Sequence, residues 1–128
     1  MNQMSAYLWV GLGGFLGSVA RYAVAVALPP AASGRFPVAT FAVNCMGCLL
    51  IGVLAGGLAR TSAPESFRLF LMTGVLGGFT TFSAFGLESL ALLRRGETMG
   101  AFLYILASVS VGVAAVWLGL RLAGSAEA

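Results

Sequence analysis

The sequence predicts an all-α integral membrane protein of four transmembrane helices, the third of them broken, and three observations carry that prediction. The 128 residues are 59% hydrophobic and 9% charged, with neither Lys nor His, so they cannot assemble a soluble globular surface. Most charges, at Arg35, Arg60, Glu65, Arg68, Arg94, Arg95, Glu97, Arg121 and Glu127, sit between apolar runs long enough to cross a hydrocarbon core of about 30 Å. Within the third run, Gly74-Val-Leu-Gly-Gly-Phe-Thr-Thr-Phe-Ser-Ala-Phe85 places three glycines beside hydroxyl and aromatic groups. Each glycine weakens a helix by up to about 1 kcal/mol relative to Ala, and the hydroxyls offer the backbone competing bonds, so a break is expected here. Irregular backbone survives at membrane depth only where protein buries it or an aqueous cavity meets it.

The spans are expected at 7–28, 38–59, 66–93 and 98–123, making residues 1–128 a single transmembrane domain. The first is too long for a cleavable signal peptide, lacks a basic leader and keeps Arg21 in its second half, so it is expected to stay. Gly13-x-x-x-Gly17 and Gly14-x-x-x-Ser18 put small residues on its faces, which lets helix backbones approach closely in lipid. Pro29, Pro30 and Ser33-Gly34 end it. The second span repeats the device at Gly52-x-x-x-Gly56 and the third at Gly74-x-x-x-Gly78, with the turn Thr61-Ser62-Ala63-Pro64 between them. Cys45-x-x-Cys48 has no further Cys or His to complete a metal ligand set, and both residues read as small packing groups.

The polar residues inside the spans are the candidate site. Arg21, costly if it reached the bilayer centre, reads as a snorkelling anchor or as a basic vestibule that attracts anions. Glu88 reads as interfacial, near the end of the third span and without an identifiable partner. Asn44 is either an interhelical clasp or a donor in a polar track with Thr40, Thr81, Ser83, Tyr104 and Ser108. Phe82 and Phe85, at i and i+3, lie near one face, and the positive edge of a phenyl ring can meet an anion without a formal cation. A neutral, donor-rich interior with almost no carboxylates suits a pore for a small anion. Four helices enclose little space, so an oligomer is expected.

With an even number of spans, Arg60, Arg68 and Arg121 fall on the side of the termini and Arg35, Arg94 and Arg95 on the other. This balance predicts a weak orientational preference, so that two oppositely inserted copies can pair as an antiparallel dimer; the alternative is that Arg21 or a partner protein fixes one orientation. The net charge of +3 suits lipid headgroups, and the absence of any basic run with interleaved aromatics argues against nucleic-acid binding.

Three stretches, in order and spanning essentially the whole chain, resemble the Fluc-type fluoride channels, also called CrcB proteins. They are Gly13-Gly-Phe-Leu-Gly17-Ser-Val-Ala-Arg21-Tyr22, Thr40-Phe-Ala-Val-Asn44-Cys-Met-Gly47 and Gly77-Gly-Phe-Thr-Thr-Phe-Ser-Ala-Phe85. The resemblance implies an antiparallel, dual-topology homodimer with two pores, set in the cytoplasmic (inner) membrane. Such a dimer would passively export fluoride that accumulates as HF enters and dissociates. It further implies a Na+ ion at the dimer centre, held by the backbone carbonyls of Gly77 and Thr80. Phe82 and Phe85 would line the fluoride path with their ring edges and Asn44 would be its amide. Thr81, Ser83, Tyr104 and Ser108 would belong to the polar track, and Arg21 would stand near the vestibule. Ala39 replaces a common Gly and Ala84 a common Thr, which deletes one hydroxyl from the path.

Two other readings share the composition. A small drug/proton antiporter needs an intramembrane carboxylate, for which Glu88 is the sole candidate. A non-transporting membrane scaffold needs only packing. With no nucleophile, base and acid in any recognised arrangement, an enzyme is not expected.

Overall fold

The computed structural model describes residues 1–28 and 36–124. The Pro29-Pro30 and Ser33-Gly34 stretches, Arg35 and Glu127 lie outside the described residues. Among the described residues four helices are long and apolar enough to cross a membrane: Gln3–Ala27, Val38–Ala59, Glu65–Arg94 and Thr98–Leu122. At 1.5 Å rise per residue the shortest reaches about 33 Å, enough for the hydrocarbon core. The first span starts at Gln3, earlier than its apolar run implies, because Asn2 caps it. The Asn2 side-chain oxygen accepts from the Ser5 amide at 2.8 Å, and the Ser5 hydroxyl donates to the Asn2 carbonyl at 2.8 Å.

The small-residue faces pair the spans. The first packs against the forward part of the third, and the second against the fourth. A methyl on Gly17 would lie 2.8 Å from the Phe79 amide nitrogen, and one on Gly78 would lie 3.1 Å from the Gly14 Cα. In the other pair, a methyl on Gly119 would come within 2.7 Å of the Val53 nitrogen. These backbones approach so closely that only hydrogen fits between them, which is how helices gain van der Waals contact where lipid offers no hydrophobic drive.

The third span is irregular for most of its first half. Glu65–Arg68 is α-helical, Leu69–Leu76 winds as a π-helix, and Gly77–Phe79 closes with a last α-turn. Thr80 (φ −83°, ψ 160°) and Thr81 (φ −151°, ψ 117°) are extended, and Phe82–Arg94 resumes the helix. The break therefore falls at Thr80-Thr81, within the stretch expected to carry it but after the glycines rather than at them. Gly74 and Gly78 remain helical, and their missing side chains serve the contact with the first span. The returning half starts on a hydroxyl cap: the Thr81 side chain accepts from the Ala84 amide at 3.2 Å.

Leu92, Ala101 and Tyr104 form a buried cluster, covered by Phe41 and Phe85, that joins the returning half of the third span to the second and fourth. At the far end Arg60 donates to the carbonyls of Ala123 (3.2 Å) and Gly124 (3.0 Å), fastening the ends of the second and fourth spans together. The Arg121 guanidinium stacks 5.2 Å from the Trp117 ring centre, an anchor suited to the membrane interface.

Gly17→Ala is expected to destabilise the protein by about 1–3 kcal/mol through overpacking. Gly11→Ala, with nothing within 4 Å of the new methyl, should stay within about 0.5 kcal/mol of wild type. Thermal unfolding in detergent checks the pair, and equal effects would contradict the packing described.

Candidate functional site

An extended link in a transmembrane span exposes peptide groups that lipid cannot satisfy, and the second span supplies their partner. The Asn44 amide donates to the Thr81 carbonyl at 3.0 Å, and its oxygen accepts from the Thr81 N–H at 2.7 Å. This two-way pairing mimics a strand contact and satisfies both backbone groups of one residue. Thr81 is itself buried, and its hydroxyl lies 3.3 Å from that of Ser83, so Asn44, Thr81 and Ser83 form one connected network.

Thr80 is held separately. Its hydroxyl (2.9 Å) and its amide (3.0 Å) both donate to the Leu76 carbonyl. Among the described residues the carbonyls of Gly77 and Thr80 accept no hydrogen bond, and both residues border an open cavity. Two unspent peptide oxygens beside one cavity are the kind of hard donor that suits an alkali or alkaline-earth cation.

Glu88 is not partnerless, as its place in the sequence implies. Its carboxylate accepts from the Thr40 hydroxyl at 2.7 Å and from the Tyr104 hydroxyl at 2.7 Å, distances that fit charge-assisted O–H···O⁻ bonds. Thr40 and Tyr104 are thereby joined to Glu88 rather than to Asn44, and the single polar track expected from the sequence divides into two networks. The signal for Glu88 was its spacing: one turn beyond Phe85, it projects from the same helical face toward the second and fourth spans.

Two cavities flank the break. One of about 350 Å³ is bounded by Ser18, Arg21, Thr40, Thr81 and Glu88, among others, so Arg21 faces the same space as the carboxylate. The other, of about 340 Å³, is bounded by Asn44, Gly77, Thr80, Thr81, Phe82, Phe85 and Ser108. Thr81 is common to both walls. Phe82 and Phe85 stand 5.5 Å apart between ring centres, tilted by 44°, and Phe85 leans on Tyr104 at 5.3 Å. Phe82 is 84% exposed, whereas Phe85 is half-buried. The Ser108 hydroxyl is buried with no hydrogen-bond partner among the described residues, and Ser108 contributes to the wall of the second cavity. Cys45 and Cys48 are free thiols, and Cys48 packs against Gly112 of the fourth span.

Comparison with known proteins identifies the family. The family described as CrcB-like protein, Camphor Resistance (CrcB), matches residues 8–120. The chain belongs to this CrcB family. A relative from Novosphingobium aromaticivorans, named fluoride-specific ion channel FluC, is 50% identical over 124 residues, covering 93% of this chain and 96% of its own. Proteins of the same name from Chlorobium phaeobacteroides (47% identical, 93% of this chain and 92% of the relative) and Rhizobium meliloti (48%, 93% and 96%) match as fully. The matched residues 8–120 include the helix break and the residues of both networks.

Removing the Asn44 clasp leaves the Thr81 N–H and C=O buried and unpaired, so Asn44→Ala should cost about 1–3 kcal/mol. Unfolding midpoints in detergent check this, and a midpoint unchanged from wild type would contradict the clasp.

Proposed function

We propose that this CrcB-family chain forms a passive, fluoride-selective channel that lets fluoride leave the cell across the cytoplasmic membrane. The observation that carries the proposal is the donor-lined, carboxylate-free cavity at the helix break. Relatives about half identical over nearly the full chain bear the name of fluoride-specific ion channels. Fluoride is small and strongly hydrated, so it enters a membrane only where close donors replace its water. The cavity wall includes Ser108, whose buried hydroxyl has no partner among the described residues, and Asn44, which spends one N–H on Thr81 and keeps a second. Ring edges of Phe82 and Phe85 add a positive rim without a fixed cation to trap the ion.

Ser83 and Thr81 extend the donor line past the break, and Tyr104 supports it by bracing Phe85. Arg21 gives the second cavity a positive wall that draws anions toward it. Thr40 and Tyr104 spend their protons on Glu88, which keeps the carboxylate's charge compensated beside the path.

Two copies in opposite orientation complete the pore. The balanced arginines permit both insertions, and the 84% exposure of Phe82 beside an open cavity leaves a wall for the second copy to supply. The carbonyls of Gly77 and Thr80, free of other bonds, fit a Na+ ion where the two breaks meet. An ion held there by the Gly77 and Thr80 carbonyls would supply positive charge beside the path of an anion.

A proton-coupled antiporter is the second reading, favoured only by the intramembrane position of Glu88. Proteoliposomes separate the two. Rapid fluoride efflux with negligible chloride efflux is expected, and transport driven by a pH gradient and abolished in Glu88→Gln would replace the channel with the antiporter. Phe82→Ile and Phe85→Ile should each lower fluoride efflux by about tenfold or more while leaving the oligomer intact by size-exclusion chromatography. Normal flux in both would remove the rings from the path.

A further inference from the structure

We infer that Gly47 is a positioning residue for the conduction path: its missing side chain seats the Thr80 methyl and so holds the helix break in its extended form. The inference rests on the channel reading for its functional consequence, though its geometry does not. The Thr80 hydroxyl is anchored on the Leu76 carbonyl at 2.9 Å, which fixes the side-chain rotamer and turns the γ-methyl toward the second span. There it meets Gly47, which is buried. A methyl on Gly47 would overlap the Thr80 Cγ2, while the next atoms, Phe79 Cδ1 and Thr80 Cβ, would stand at 3.7 Å, an ordinary contact. One methyl group is the whole obstacle.

Relieving that overlap leaves two routes. Rotating Thr80 to another staggered well carries the hydroxyl off Leu76, and shifting its backbone disturbs a φ/ψ pair (−83°, 160°) that begins the extended link. Neither route is free, because the next residue is clamped. Asn44, one helical turn before Gly47 on the same face, holds both peptide groups of Thr81. The second span thus grips the break twice, once through hydrogen bonds at Asn44 and once through shape at Gly47. Phe82, Asn44 and the Thr80 carbonyl share the cavity beside that grip, so a displaced Thr80 misaligns donors and ring edges together.

The test is a cycle of four proteins in liposomes: wild type, Gly47→Ala, Thr80→Ser, and the two substitutions combined. Serine keeps the hydroxyl and the backbone but removes the obstructing methyl. Gly47→Ala should lower the initial fluoride efflux rate by about tenfold or more in the wild-type background. In the Thr80→Ser background the same change should cost less than about threefold. An equal loss in both backgrounds, a Gly47→Ala rate close to wild type, or a Thr80→Ser protein without measurable flux would overturn the inference. Should Gly47→Ala fail to fold, a folded and conducting double variant supports it and a misfolded one overturns it. Should wild type itself pass no fluoride, the channel reading falls and the cycle is read on thermal midpoints. A fall on Gly47→Ala that vanishes in the Thr80→Ser background is then expected, and an undiminished fall overturns the inference.

Discussion

The pairing of the Asn44 side chain with the Thr81 peptide is the interaction on which the rest of the structure depends. A helix broken within the membrane leaves donors and acceptors that lipid cannot satisfy, at several kcal/mol each in hydrocarbon. One amide side chain answers both groups of one residue, and the threonine hydroxyl beside it answers the Ala84 amide in the first turn of the next helix. With those demands met, the break can stay open on its other side. That is what frees the carbonyls of Gly77 and Thr80 and sets Phe82 beside a cavity instead of inside a continuous helix.

The glycines make the clasp possible without forming the break. Asn44 reaches Thr81 because the second and third spans lie close, and at Gly47 the absence of a side chain leaves room for the Thr80 methyl. On the opposite flank Gly13, Gly17 and Gly78 press the first span against the π-helical and terminal turns of the third. Wide turns of this kind often sit next to functional irregularities in helices, since they absorb a mismatch in register before a fixed contact. Here the fixed contacts are the glycine faces on one side and Asn44 on the other.

How much of this was legible in the sequence follows from the range of each force. The spans and their small-residue faces depend on local composition and period, and they could be read almost to the residue at Val38–Ala59. The break could be assigned to its stretch but not to Thr80-Thr81, because glycine propensity is a weak local term that close helix contact overrides. The alliance of Glu88 with Thr40 and Tyr104 was hidden for another reason. It joins residues 48 and 16 positions apart, and nothing local to Glu88 distinguishes an interfacial carboxylate from one met by two hydroxyls. Ser108 and Asn44 were visible as polar residues in apolar spans, yet whether each is spent or spare depends on distances that no periodicity encodes.

That distinction between spent and spare donors is also what gives the cavity its character. Had Asn44 no peptide to hold, it would rotate freely and offer its amide in any direction; held by Thr81, it presents one N–H in a fixed place. Had Glu88 no hydroxyls, its charge would repel an anion at short range; covered by Thr40 and Tyr104, much of that field is answered locally. A binding surface for a strongly hydrated ion needs donors that are rigid, few and unshielded, because mobile dipoles lose the energy of reorganising each time an ion arrives. The Asn44–Thr81–Ser83 and Thr40–Glu88–Tyr104 networks therefore act as scaffolding around the two cavities that share Thr81 as a wall.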